Sequence, residues 1–241
     1  MTTLGERIRA LPGAPRLFGS RAVAGARSTR DGVLTVWRTE SAGQHPVIVL
    51  VTTQPATVGW LASVLAVDLE AVVAVVGVPA SRDAASDLEL DAAFEAAIGL
   101  EGADPDRIGV VGDGAAASAA MALCLRSSTP PLRLALVLPS FPHAAPPVSA
   151  AGAGEQMLPP TLIQSSESHR DAAATRSLDA QLRAAGVAVR ATEYTSVSDE
   201  WTRYPRFARG STRARGDLVA FFQRGLGTES TFSVIPGWDL S

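Results

Sequence analysis

The stretch Asp104-Pro105-Asp106-Arg107-Ile108-Gly109-Val110-Val111-Gly112-Asp113-Gly114-Ala115-Ala116-Ala117 decides the fold of this chain. Arg107 to Val111 is a short, apolar, β-branched run that reads as a strand, and Ala115 to Arg126 reads as a helix. Between them stand Gly112, Asp113 and Gly114, with almost no side-chain bulk. A chain that passes from strand to helix through such residues can turn sharply, and it can place one residue of the turn in backbone that larger side chains avoid.

Outward from this junction the same alternation continues in both directions. On the N-terminal side lie β-rich runs at Gly32 to Arg38 and Pro46 to Val51, a helix around Trp60 to Glu70, a strand at Ala71 to Val78 and a helix around Asp87 to Leu100. The mostly polar Thr39 to His45 allows the first two runs to pair antiparallel and places His45 in a hairpin turn. Pro46 to Val51 is apolar throughout, as expected of a strand covered on both faces. On the C-terminal side come strands at Leu132 to Leu138, Thr161 to Ser165 and Ala188 to Tyr194, with helices at Asp171 to Ala185 and near Arg213 to Arg224. Strands alternating with helices predict an α/β fold, a doubly wound and mostly parallel sheet with helices on both faces. Residues 1 to 30, rich in Gly, Pro and Arg, read as an irregular N-terminal arm, and 31 to 241 as a single domain. Ser140 to Pro160 is a Pro, Ala and Gly-rich loop of about 20 residues, longer than ordinary connections. It leaves the sheet at the edge where α/β folds place ligands.

Composition narrows the function. A chain of 241 residues that is 46% hydrophobic can bury a sizeable core. A net charge of −3 and scattered arginines, with no lysine, give no basic surface for nucleic acid. No run reaches the roughly 18 apolar residues of a membrane span, and the N-terminus has no signal-peptide pattern, so a cytoplasmic protein without a membrane partner is expected. The single cysteine, Cys124, excludes an internal disulfide and reads as part of a buried helix face. No cofactor and no metal is expected.

The quoted stretch resembles the nucleophile elbow of bacterial hormone-sensitive-lipase-like esterases, a branch of the α/β-hydrolases in which a D-P-x-R-I strand runs into G-D-S-A-G-G and a helix. The resemblance extends over roughly residues 33 to 226. It implies an α/β-hydrolase fold, with Gly114 standing where the family has its catalytic serine. Glycine has no side chain with which to attack a carbonyl. Ser118, one helical turn on, reads as a packing residue rather than a displaced nucleophile. Asp113 either faces the pocket or bonds the turn.

The family's other catalytic positions depart in the same way. Where the resemblance implies H-G-G-G, whose backbone N–H groups help form the oxyanion hole, this chain has Thr52-Thr53-Gln54-Pro55, and Pro55 has no N–H at all. Anchoring on Arg170-Asp171 puts Glu167 at the position of the triad acid, with a slip of one residue left open. Counting from Tyr194 through Thr195, Ser196, Val197 and Ser198 puts Asp199 in place of the histidine, followed by Glu200 and Trp201. The general base of a serine hydrolase is missing there. The three histidines fall elsewhere: His45 in a turn, His143 in the long loop that could overhang the site, and His169 just past a strand. The family's lid is reduced, which leaves the pocket either open or covered by a second copy of the chain in a homodimer.

Two functions compete on this reading. If Glu167 and Asp199 face one another, mutual repulsion raises one pKa and the pair can hold a proton near neutrality. Such a pair, with Asp113, can serve cyclase, dehydratase or isomerase chemistry without a nucleophile. Plant members of the carboxylesterase-like family resemble that route. The partner would be a hydrophobic small molecule, polyketide-like in character, lodged against Gly114, Ala115, Thr52, Thr53, Gln54, Trp60, His143 and Trp201, with Tyr204 nearby. The alternative is a noncatalytic binder or scaffold, as the gibberellin receptors of the same family illustrate. A residual esterase is the third option.

Overall fold

The computed structural model describes residues 22–80, 83–141, 157–195, 201–202 and 211–227. Its centre is an eight-stranded sheet: β1 (Arg27–Asp31), β2 (Leu34–Arg38), β3 (His45–Thr52), β4 (Val72–Gly77), β5 (Ala103–Asp113), β6 (Arg133–Val137), β7 (Thr161–Ser166) and β8 (Val189–Tyr194). The spatial order is β1-β2-β4-β3-β5-β6-β7-β8, with β1/β2 and β2/β4 antiparallel and every other pair parallel. Among the described residues four α-helices connect strands, α1 (Gly59–Asp68), α2 (Ala84–Ile98), α3 (Ala117–Arg126) and α4 (Ala172–Ala184), and α5 (Ser211–Leu226) follows β8. This is the predicted doubly wound, mostly parallel sheet.

The apolar run of β3 shows why the layers form. Val47, Val49 and Val51 join the core cluster that includes Phe94 of α2, Leu123 of α3 and Leu178 of α4. Ile48 and Leu50 join the opposite cluster with Leu61 and Leu65 of α1 and Leu218 and Phe222 of α5. Side chains of a strand alternate between faces, so a strand apolar at every position must be covered on both. The Asp104-Pro105-Asp106-Arg107 motif has a different task. Asp104 accepts hydrogen bonds from the Asp106 N–H at 3.0 Å and the Arg107 Nε at 2.6 Å, and Arg107 Nη2 donates to the Gln44 carbonyl at 3.0 Å. These bonds brace β5 where its register against β3 shifts, between Pro46 and Val47. The Arg107 hydrogen bond holds the Asp104 carboxyl below the usual carboxylate range.

Four local readings need correction. Residues 34–38 and 45–52 do not pair with each other, because β4 lies between them and takes β2 as its antiparallel neighbour. The apolar β4 completes burial of the central strands, which the polar link from Thr39 to Gln44 allows but does not itself encode. His45 is therefore the first residue of β3 rather than part of a hairpin turn. Arg27–Asp31, which spans the end of the range read as irregular and the first residue of the domain, is an edge strand exposed along its whole length. It carries no apolar pattern, which is why periodicity misses it. Helix α2 also begins three residues earlier than predicted, at a capping box in which Asp83 accepts from the Ser86 N–H and the Ser86 hydroxyl faces the Asp83 N–H.

Candidate active site

The sheet order reverses at β3: β4 lies on one side of it and β5 on the other. Such a switch point opens a crevice at the carboxyl ends of the flanking strands, the usual ligand position in open α/β sheets. Thr52 ends β3 and Asp113 ends β5, and they are register partners. The Thr52 hydroxyl donates to Asp113 Oδ2 at 2.9 Å, and the Thr202 hydroxyl donates to Oδ1 at 3.3 Å. Asp113 is 2% exposed. Of the two roles left open for it, these contacts are those of the turn-bonding one.

Gly114 follows at φ +60°, in left-handed backbone, and opens a short 3-10 turn (Gly114–Ala116) that feeds α3. An ordinary side chain there would strain the backbone, whereas glycine adopts this conformation freely. The junction is also tight: a Cβ on Gly112 would lie 2.8 Å from the Ala120 Cβ and 2.9 Å from the Ala117 Cα. Ala115 is half-buried beside Gly114, and Ser118 is half-buried in the first turn of α3.

The segment after β3 supplies little to an anion. The Gln54 N–H donates to Thr52 Oγ1 at 3.1 Å, inside its own turn. Pro55 opens another 3-10 turn (Pro55–Thr57), in which the Thr57 N–H and hydroxyl both donate to the Gln54 carbonyl. Thr53 is half-buried and Gln54 exposed.

Aromatic residues close one side. Trp201 is fully buried and meets the half-buried Trp60 edge-on, with ring centroids 6.3 Å apart and planes at 85°. Among the described residues its indole N–H has no hydrogen-bond partner. Burying a donor without an acceptor costs about 1–3 kcal/mol. Through Trp201 and Thr202 this part of the chain is pinned to the turn at Asp113. Asp199 and His143 lie outside the described residues, as do Glu200 and Tyr204.

Glu167 is exposed just beyond β7, where its N–H donates to the Tyr194 carbonyl at 3.2 Å. His169 is half-buried, and its Nδ1 accepts the Asp171 N–H at 3.1 Å, which leaves Nε2 to carry the ring proton. His45 lies at the opposite end of β3 from Thr52, about 23 Å away by strand rise, and does not reach this edge. Among the described residues no group of three or more His, Cys, Asp or Glu could hold a metal ion, and no helix is long and apolar enough to cross a membrane.

Two groups not singled out from the sequence stand at the same edge. The Ser140 N–H donates to the Gly114 carbonyl at 3.0 Å, and its hydroxyl donates to Asp171 Oδ2 at 2.6 Å. Ser140 follows β6 and Asp171 follows β7, so with Gly114 they line three adjacent strand ends. The signal in the sequence that points to both is their position just past a strand.

No protein-family model and no curated protein matches the chain. Solved structures are. A crystal structure of an esterase from the bacterial hormone-sensitive lipase family superposes with a TM-score of 0.74 at 15% identity, covering 92% of this chain and 95% of that one. EstE7, a hormone-sensitive-lipase homologue from a metagenome library, gives 0.69 at 19% identity over 86% and 89%. A structure from a study of two fungal esterases of Rhizomucor miehei gives 0.69 at 15% identity over 89% and 87%. The chain shares the α/β-hydrolase fold of these esterase structures.

Proposed function

We propose that this protein has given up serine-hydrolase chemistry and performs acid–base chemistry of the cyclase, dehydratase or isomerase type on a hydrophobic small molecule. The observation that carries the reading is Gly114. The strand-to-helix turn keeps the left-handed backbone of a nucleophile elbow, at φ +60°, but offers no atom to form an acyl intermediate. The engaged Gln54 N–H and the missing N–H of Pro55 support it, since a tetrahedral intermediate would lose donors from the loop after β3.

Glu167 and Asp199 are the acid–base pair of this proposal. Glu167 makes no side-chain hydrogen bond or ion pair among the described residues and so is available to a partner. Asp199 belongs to a short segment between Thr195, at the end of β8, and Trp201. The half-buried Trp60, backed edge-on by the fully buried Trp201, would form the apolar wall.

The test has two arms. With p-nitrophenyl acetate and butyrate, no turnover above buffer is expected; turnover that Ser118→Ala abolishes would sink the proposal. With a panel of apolar hydroxylated enones followed by chromatography, conversion is expected that falls with Glu167→Gln and Asp199→Asn.

A second reading, a noncatalytic binder, is favoured by one observation. Asp113, the carboxylate nearest Gly114, is buried and bonded by two threonine hydroxyls, an internal brace rather than a free acid or base. Quenching of tryptophan fluorescence by panel members without any conversion would select this reading.

A further inference from the structure

Asp171 is the N-cap residue of α4, and aspartate at that position ordinarily turns its carboxylate back onto the first N–H groups of its helix. Here it makes no such cap bond. Its Oδ2 instead accepts the Ser140 hydroxyl at 2.6 Å, while its own N–H is taken by His169 Nδ1 at 3.1 Å. Arg170 Nη2 lies 3.4 Å from the Ser140 Oγ, and Arg170 Nε lies 3.6 Å from Asp171 Oδ2. Ser140 is 8% exposed, and the Asp171 side chain is 19% exposed.

The main chain holds this hydroxyl against the elbow. Leu138 has φ +48°, a costly conformation for a branched residue, and its N–H donates to the Gln164 carbonyl of β7 at 2.8 Å. Two residues later the Ser140 N–H meets the Gly114 carbonyl at 3.0 Å. A hydroxyl within 2.6 Å of a base, the base itself beside a third polar group, is the arrangement that activates an oxygen for proton loss.

We propose that Ser140 and Asp171 form the proton relay of the vacated site, acting on a ligand that presents a free hydroxyl above Gly114. The ligand O–H bond breaks and its proton passes to the Ser140 Oγ, while the proton of Ser140 passes to Asp171 Oδ2. The ligand alkoxide then adds to the β-carbon of a conjugated enone in its own molecule: the C–O bond forms, the C=C π bond breaks and its electron pair moves onto the carbonyl oxygen, and reversal of the relay returns the proton to the resulting enolate. No electrons are exchanged and no group leaves. The proposal rests on the acid–base reading of the site and adds the residues that touch the reacting oxygen.

The relay can be tested without knowing the ligand, using a fluorophosphonate probe on the intact protein and peptide mapping of the adduct. On attack by the Ser140 Oγ, the O–P bond forms, fluoride leaves, and the hydroxyl proton goes to Asp171. Labelling of Ser140 is expected in the wild type, slowed by roughly a hundredfold in Asp171→Asn and unchanged in Ser118→Ala. Thermal unfolding checks that the variants fold; should Asp171→Asn not fold, Asp171→Glu displaces the base and is expected to slow labelling in the same direction. No label on Ser140, or labelling that ignores the change at Asp171, overturns the relay and leaves the non-hydrolytic reading intact. Steady ester turnover through Ser140 would overturn that reading and leave the activated hydroxyl standing.

Discussion

The Thr52 hydroxyl donates a 2.9 Å hydrogen bond to the Asp113 carboxylate at the point where the strand order reverses. Because both residues are buried, the bond ties β3 to β5 where no water can replace it. Asp113→Ala should therefore destabilise the protein by about 2–3 kcal/mol, since it leaves two threonine hydroxyls without this acceptor. Thr52→Val should cost a similar amount, because it removes the donor to Asp113 Oδ2 and the acceptor of the Gln54 N–H. Urea unfolding curves check both; a loss within experimental error for Asp113→Ala would show that the brace carries no stability.

Placing a serine at position 114 should not create an esterase. Gly114→Ser introduces a side chain at φ +60° and should lower stability by about 1–2 kcal/mol. It supplies neither a general base nor oxyanion donors, so p-nitrophenyl butyrate hydrolysis should stay at the buffer rate. Gly112→Ala should be the more damaging change, because its Cβ would press on α3 backbone at 2.9 Å. Calorimetric midpoints should rank the wild type above Gly114→Ser and Gly114→Ser above Gly112→Ala.

Tyr194 sets part of the alkaline limit. Its hydroxyl donates to Asp217 at 2.8 Å and accepts from Gln164 Nε2 at 2.8 Å, which locks α5 onto β7 and β8. Burial, and then the neighbouring Asp217, push its pKa well above the usual phenol range. A raised pKa in the folded state stabilises the protein fully below the unfolded value of about 10, and that stability is lost as pH rises beyond it. Tyr194→Phe should cost about 1–2 kcal/mol at neutral pH and flatten the decline between about pH 10 and 11. Unfolding series at several pH values report both effects; a slope unchanged in the variant would assign the decline to other groups.

Cys124 should be inert in the folded protein. It is fully buried in α3, and burial drives its thiol pKa well above the ordinary range. A disulfide reagent such as Ellman's should titrate no thiol in native buffer and one thiol per chain after denaturation. Rapid reaction under native conditions would mean that α3 opens readily.

Periodicity alone laid out most of the architecture. The fully apolar Val47 to Val51 and the small-residue run from Gly112 to Gly114 each admit only one placement, a strand covered on both faces and a sharp strand-to-helix turn. Local pattern failed where the answer depended on a distant partner. It could not show that β2 turns away from β3 to pair with β4, nor find β1, whose residues are all exposed. The site divides in the same way. Its place at the end of β5, and the absence of a nucleophile at Gly114, followed from the identity of one residue.

That Asp113 is held by Thr52 and Thr202, and that Ser140 and Asp171 meet at 2.6 Å, required strands 31 residues or more apart in sequence to come to one edge. The sequence by itself determined which atoms the elbow lacks, because glycine is chemically silent in any fold. Only the tertiary structure decided which hydroxyls and carboxylates stand near it, because hydrogen bonds between strand ends depend on sheet order and register, and neither is encoded locally.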